Sequence, residues 1–143
     1  MRAMGPDKLT IAALVATLEL YRDGRAESEL PVWRMIAATP AALAKRARAI
    51  ATRLATGGVE CDVIETRSTV GGGSLPEETQ PSRAVAIGAR HGRANDIAAR
   101  LRAADPPVIA RVVDDRAALD LRSVAAEDDE MLAQAVTAAL VKE

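Results

Sequence analysis

The sequence predicts an α+β two-layer sandwich, a mainly antiparallel four-stranded sheet with helices on one face. Two observations point there. The chain has 143 residues, 49% of them hydrophobic, which suits one domain with its own core. Its apolar patterning runs helices, strand, strand, helix, hairpin, helix, with no internal repeat and no low-complexity linker.

The first helix is read from Ile11, Leu14, Val15, Leu18 and Tyr21, which recur at helical spacing between a capping Asp7 and a terminating Gly24. Glu29 to Ile36 reads as a turn and a short helix with Pro31 in its first turn. Thr39-Pro40 is a strong helix start, a side-chain cap followed by a proline whose missing donor is not needed. Leu43, Ala47, Ile50 and Leu54 then line one face, and Gly57-Gly58 ends the helix. Lys45, Arg46, Arg48 and Arg53 fall elsewhere on this cylinder and read as a solvated surface.

Val59 to Arg67 and Arg83 to Gly88 read as strands, joined by the stretch Ser68 to Ser82 that contains Gly71-Gly72-Gly73. Ala94, Ile97, Ala98 and Leu101 mark the next amphipathic helix, stopped by Asp105-Pro106-Pro107. Val108 to Val113 and Ala117 to Leu121 form a hairpin turning at Asp114-Asp115. A final helix runs from about Glu127 to Val141, its acidic first turn matched to the helix dipole.

Composition bounds the functions open to the chain. Nineteen basic and twenty acidic residues give a net charge of −1, which removes the simplest electrostatic case for nucleic-acid or anionic-membrane binding. Cys61 is the only cysteine, so an intramolecular disulfide or a cysteine-rich metal site is impossible, and the cytoplasm is the expected compartment. Cys61 sits in an apolar alternation and reads as a small strand hydrophobe rather than a nucleophile. His91 is the single histidine, so no Ser/His/Asp arrangement can be defended. No metal site, membrane-spanning run or secretory signal is expected.

Gly71, Gly72, Gly73 and Ser74 mark a backbone-constrained loop, because glycine alone enters positive φ freely and allows close approach of another backbone or a ligand. The loop is not a P-loop, since no Gly-Lys-Ser/Thr follows, and it lacks the spacing of a dinucleotide fingerprint. Arginine is the remaining resource for recognising anions, through its bidentate fork. Arg111 and Arg122 are the candidates, in or beside the hairpin, although strand arginines also serve to cover sheet edges.

Several motifs carry a resemblance when taken together and in order. They are Met1 to Ala3, then Asp7-Lys-Leu-Thr10 with Ala12 to Leu14 and Ala16 to Leu18. Leu30-Pro-Val-Trp-Arg-Met-Ile36, Ser68 to Glu78 and Pro81-Ser82 follow. Pro106-Pro-Val-Ile-Ala-Arg111 and Leu119-Asp-Leu-Arg-Ser-Val124 complete the set. The chain resembles the C-terminal part of bacterial selenocysteine synthases, the L-seryl-tRNA(Sec) selenium transferases, over nearly its whole length.

The resemblance implies a fold-type I enzyme that uses pyridoxal phosphate and selenophosphate to convert seryl-tRNA to selenocysteinyl-tRNA. It implies that the Schiff-base lysine lies upstream of the position matching Met1, so this chain carries no catalytic residue and binds no pyridoxal phosphate alone. Residues 1–25 correspond to a connecting helix and 26–143 to the small domain. Arg2 matches the first of two anion-holding arginines in a pattern resembling Arg-Ala-x-Arg-x-Asp-Lys, whereas Gly5 stands at the second. Gly71, Gly72, Gly73 and Ser74 then belong to a loop near the active site. Implied partners are the missing large domain, homologous subunits and, in the intact family, seryl-tRNA(Sec). Two alternatives stand beside this reading: a fragment of a related pyridoxal-phosphate lyase acting on amino sugars or amino acids, and a stand-alone interaction module that pairs with another chain, a homo-oligomer being one form of that pairing.

Overall fold

The computed structural model describes residues 5–69 and 79–141. The chain divides into two compact units, Met1–Ala37 and Ala38–Glu143.

In the first unit, helix α1 (Lys8–Arg22) is opened by Asp7, whose side chain accepts from the Thr10 amide at 2.8 Å. Gly24, at φ +69°, turns the chain out of the helix, a conformation that costs glycine nothing. Two short helices follow, α2 (Ala26–Glu29) and α3 (Pro31–Ala37). The Trp33 indole donates to the Tyr21 hydroxyl at 2.5 Å, and the two rings meet edge to face at 82°. None of the residues of α1 is buried.

The second unit has the expected architecture. Helix α4 (Pro40–Thr56) starts at the Thr39 cap and buries Leu43, Ala47, Ile50 and Leu54. Strands β1 (Cys61–Thr69) and β2 (Thr79–Ile87) pair antiparallel along their whole length, from Cys61 opposite Ile87 to Thr69 opposite Thr79. Helix α5 (Ala94–Arg102) leads to β3 (Arg111–Val113) and β4 (Arg116–Asp120), and helix α6 (Asp129–Leu140) closes the unit. Strand order is β1-β2-β4-β3, all neighbours antiparallel.

The hairpin turns at Asp114 and Asp115, with φ of 47° and 56°, as a two-residue turn with both central residues left-handed. Its first strand is shorter than the sequence pattern predicts: Val108 to Ala110 lie outside the ladder, and the Val108 amide bonds to the Leu101 carbonyl at 2.9 Å. β2 begins earlier than expected and takes in Pro81, which faces β1 beyond the end of the β4 ladder, where a missing donor costs nothing.

Alternation divides the sheet into two faces. Val85, Ile87, Ala117 and Leu119 join the core formed with Leu43, Ile50, Leu54, Ile97, Leu101 and Val136 of the helices. The opposite face carries Thr66 and Ser68 of β1, Ser82, Ala84 and Ala86 of β2, Ala118 and Asp120 of β4, and Arg111 of β3.

The basic surface expected on α4 is only partly that. Lys45 and Arg48 are exposed, but Arg46 turns inward and grips Asp129 of α6 through Nε at 2.9 Å and Nη2 at 2.6 Å. It also donates to the Leu121 and Val124 carbonyls, so it ties α4 to the segment between β4 and α6. Among the described residues no helix is long and apolar enough to cross a membrane.

Candidate functional site

Asp120 ends β4, and its alternation points it away from the helices. Its side chain is 6% exposed, a costly place for a carboxylate unless donors surround it. They do: Oδ1 accepts from the Ser82 hydroxyl at 2.7 Å and from the Arg122 amide at 3.1 Å. Oδ2 accepts from the Ser68 hydroxyl at 2.5 Å and from Arg111 Nη2 at 2.6 Å. One carboxylate therefore joins β1, β2, β3 and the turn after β4.

Of the arginines singled out in the sequence, Arg111 reaches this group through its guanidinium and Arg122 donates to it through its backbone amide. Arg111 also donates through Nη1 to the Arg67 carbonyl and through Nη2 to Thr66 Oγ1, and its side chain is 42% exposed. Arg122 is buried; its Nη1 bonds to the Ala38 carbonyl at 2.9 Å and its Nη2 to the Pro81 carbonyl at 2.7 Å. Arg122 thus grips the start of α4 and the entry of β2, whereas Arg111 keeps a face toward solvent. Arg2 and the loop residues Gly71, Gly72, Gly73 and Ser74 lie outside the described residues. The strands flanking that loop end at Thr69 and resume at Thr79, where Arg67 bridges the gap by donating to Thr79 Oγ1 and to its carbonyl.

Sequence reasoning missed Asp120, Ser68 and Ser82 as a unit. The available signal was an acidic residue inside the apolar run Ala117-Ala-Leu-Asp-Leu121, which must find donors if that run is a buried strand.

The other chemical candidates have structural tasks. Cys61 donates its thiol to the Ala51 carbonyl, and burial first, then Asp62, pushes its pKa up, against an opposing pull from Arg116. His91 Nε2 accepts from the Glu60 amide at 3.0 Å, which pins the start of β1 to the turn after β2. Among the described residues no group of three His, Cys, Asp or Glu is placed to hold a metal ion. Lys8 and Lys45 are exposed on helices, without the pocket that a Schiff-base lysine needs around its amine, so neither fits pyridoxal phosphate.

The L-seryl-tRNA selenium transferase family model matches residues 1–125. The L-seryl-tRNA(Sec) selenium transferase of Solidesulfovibrio magneticus is 46% identical over 136 residues, covering 91% of this chain and 28% of that protein. That of Moorella thermoacetica is 39% identical over 143 residues, covering 97% and 30%. That of Nitratidesulfovibrio vulgaris is 41% identical over 141 residues, covering 96% and 29%. The chain therefore spans less than a third of the length of these curated relatives. With a matching family model over most of its residues and relatives of this identity, the chain belongs to the L-seryl-tRNA selenium transferase family.

Proposed function

We propose that this chain is the C-terminal part of a pyridoxal-phosphate-dependent L-seryl-tRNA(Sec) selenium transferase acting in the cytoplasm. In this reading residues 1–25 connect to a large domain and residues 26–143 form the small domain. The whole enzyme would convert seryl-tRNA(Sec) to selenocysteinyl-tRNA(Sec) with selenophosphate. The observation that carries the reading is the family match along residues 1–125. The cofactor would supply electron-withdrawing chemistry at the serine carbons from a lysine in the remaining part of the enzyme. This chain's contribution is positional. Arg2 and Arg111 are the residues proposed to face anionic groups, Arg122 holds the entry of β2, and Gly71, Gly72, Gly73 and Ser74 are proposed to approach the active site.

A chimera tests this. The chain replaces the matching 136 residues of the Solidesulfovibrio magneticus relative, and selenocysteinyl-tRNA formation is measured from seryl-tRNA(Sec) and selenophosphate. Activity in the chimera and none in the chain alone is the expected result. A chimera that folds and binds pyridoxal phosphate but makes no selenocysteinyl-tRNA would refute the transferase reading.

The exposed apolar side of α1 favours a second reading, an interaction module. Leu9 is 81% exposed and Leu14 58%, and no charged residue occurs from Leu9 to Leu18. Light scattering separates the two: a defined homo-oligomer that Leu14→Glu dissolves supports the module, whereas a monomer speaks against it.

A further inference from the structure

The β1–β2 hairpin is longer than the ladder that carries it. Its two strands pair over nine residues each, whereas β4 lies against β2 only from Ala84 to Ala86. Beyond that ladder, residues 65–69 and 79–83 form a two-stranded arm with no third strand beside it among the described residues. A lone two-stranded hairpin is marginally stable at best in water, so the arm needs another fastening. Burial shows where it lies. In β1 only Ser68 is buried, one residue from the end of the strand, and on β2 Ser82 is fully buried. Hydroxyls at that depth require partners. Both find the same one: Asp120 accepts from Ser68 of β1 on Oδ2 and from Ser82 of β2 on Oδ1, one oxygen for each strand of the arm. β4 ends at Asp120, and the chain turns away through Leu121–Ser123. From that turn Arg122 donates to the Pro81 carbonyl, while Arg111 of β3 donates to Thr66 Oγ1 and to the Arg67 carbonyl. The remaining arm contacts, Arg83 with Glu65 and Arg67 with Thr79, join its two strands to each other and leave its direction free. Side chains set that direction where the backbone ladder has run out.

We propose that Asp120 is a positioning residue, which clasps both strands of the arm to the end of β4 and so fixes where the arm delivers the segment between Thr69 and Thr79. The inference rests on the reading that this segment approaches the active site of the whole enzyme. A carboxylate suits the task, because hydrogen bonds to an ionised acceptor are stronger than neutral ones. Its four lone-pair directions are taken by Ser68, Ser82, Arg111 and the Arg122 amide, which leaves it no capacity to act as a base.

The experiment measures backbone amide order parameters in the 143-residue chain and turnover in the chimera with the Solidesulfovibrio magneticus relative. Order parameters report motion within the folded state, so a variant that merely destabilises the unit leaves them unchanged. In the unaltered chain, residues 65–69 and 79–83 match the rigid level of residues 61–64 and 84–87, about 0.85, and Asp120→Asn lowers the arm alone toward about 0.6. In the chimera, Asp120→Asn lowers kcat for selenocysteinyl-tRNA formation about tenfold or more, the scale of a misplaced group at a reacting centre. The KM for seryl-tRNA(Sec) and the pyridoxal-phosphate absorbance stay the same. An arm that remains rigid in Asp120→Asn, or motion that rises evenly along both strands, overturns the clasp. A loosened arm with full activity overturns the positioning role. An unaltered chimera without activity overturns the transferase reading and the positioning role with it, and the order parameters still decide the clasp. Should Asp120→Asn fail to fold, Ser68→Ala, which removes the β1 fastening and no charge, carries the test: loosening at residues 65–69 supports the clasp, and unchanged order overturns it.

Discussion

Helices α1 and α4 differ by two residues in length, and each begins at a side-chain oxygen that accepts from a first-turn amide, yet their surroundings are opposite. α1 buries none of its residues, whereas in α4 Leu43, Ala47, Ile50 and Leu54 are each at most 1% exposed. The difference lies in what each helix has been given to pack on. α4 carries a narrow apolar stripe flanked by arginines and a lysine, and the stripe is covered by β2 and α6. α1 is uncharged from Leu9 to Leu18, so its apolar surface is wider than a stripe. A short helix without tertiary burial depends on its cap and intrinsic propensity, while a helix with a covered stripe draws its stability from packing.

The sharpest way to break this comparison is to delete the same side chain from each helix. Leu54→Ala in α4 should cost about 2–5 kcal/mol, because it removes a fully buried side chain and leaves a cavity. Leu14→Ala in α1, at 58% exposure, should stay within about 0.5 kcal/mol. Urea unfolding monitored by circular dichroism measures both, and equal losses would mean that α1 is covered in solution.

The arginines give a smaller contrast of the same kind. Arg46 of α4 and Asp129 of α6 are about one-fifth exposed and share two hydrogen bonds, so Arg46→Ala should cost about 2–3 kcal/mol by leaving Asp129 without its charged donor. Arg25 pairs with Glu29 in the first unit with both side chains well exposed, and Arg25→Ala should cost no more than about 0.5 kcal/mol. A loss at Arg25 matching that at Arg46 would contradict the ranking.

Both helices were legible in the sequence, because periodicity and caps are local properties. Thr39-Pro40 opens α4 where those two residues require it, and the Asp114-Asp115 turn was marked by residue types that tolerate left-handed backbone. The inward course of Arg46 was not legible, since its partner Asp129 lies 83 residues away. The same holds at the candidate site. Arg111 and Arg122 could be named as anion-binding candidates from their residue type, but the group that gathers them was hidden. Asp120 meets Ser68 and Ser82 only after three strands pair, and register is a nonlocal property. Val108 to Ala110 misled for a related reason: alternation over a few residues reports half-burial, not membership of a ladder.

Cys61 tests the cover that α4 provides on the sheet. Its thiol bonds to the Ala51 carbonyl of that helix, and burial raises its pKa. A raised value favours the neutral thiol in the folded state, so this contribution is complete below the thiol's ordinary pKa and is lost as pH rises through the folded value. Alkylation by iodoacetamide should therefore set in at higher pH in the native protein than in urea. Identical onsets would show that α4 does not shield the strand.

The smallest effect is expected at the cap of α1, where the comparison with α4 turns on charge rather than packing. Asp7 is exposed, and its pKa is lowered, chiefly by the hydrogen bond from the Thr10 amide. A lowered carboxyl favours the ionised form in the folded state, so its contribution is present above the ordinary carboxyl pKa and is lost as pH falls through the folded value. The cap of α4 is Thr39, which does not titrate in this range. Acidification should therefore loosen the first turn of α1 before that of α4, read as faster amide exchange near Thr10, after correction for the intrinsic pH dependence, with no change near Ala42. Asp7→Asn keeps an acceptor without the charge and should remove the pH dependence while retaining most of the cap. A pH response that survives this substitution would assign the loosening to another group.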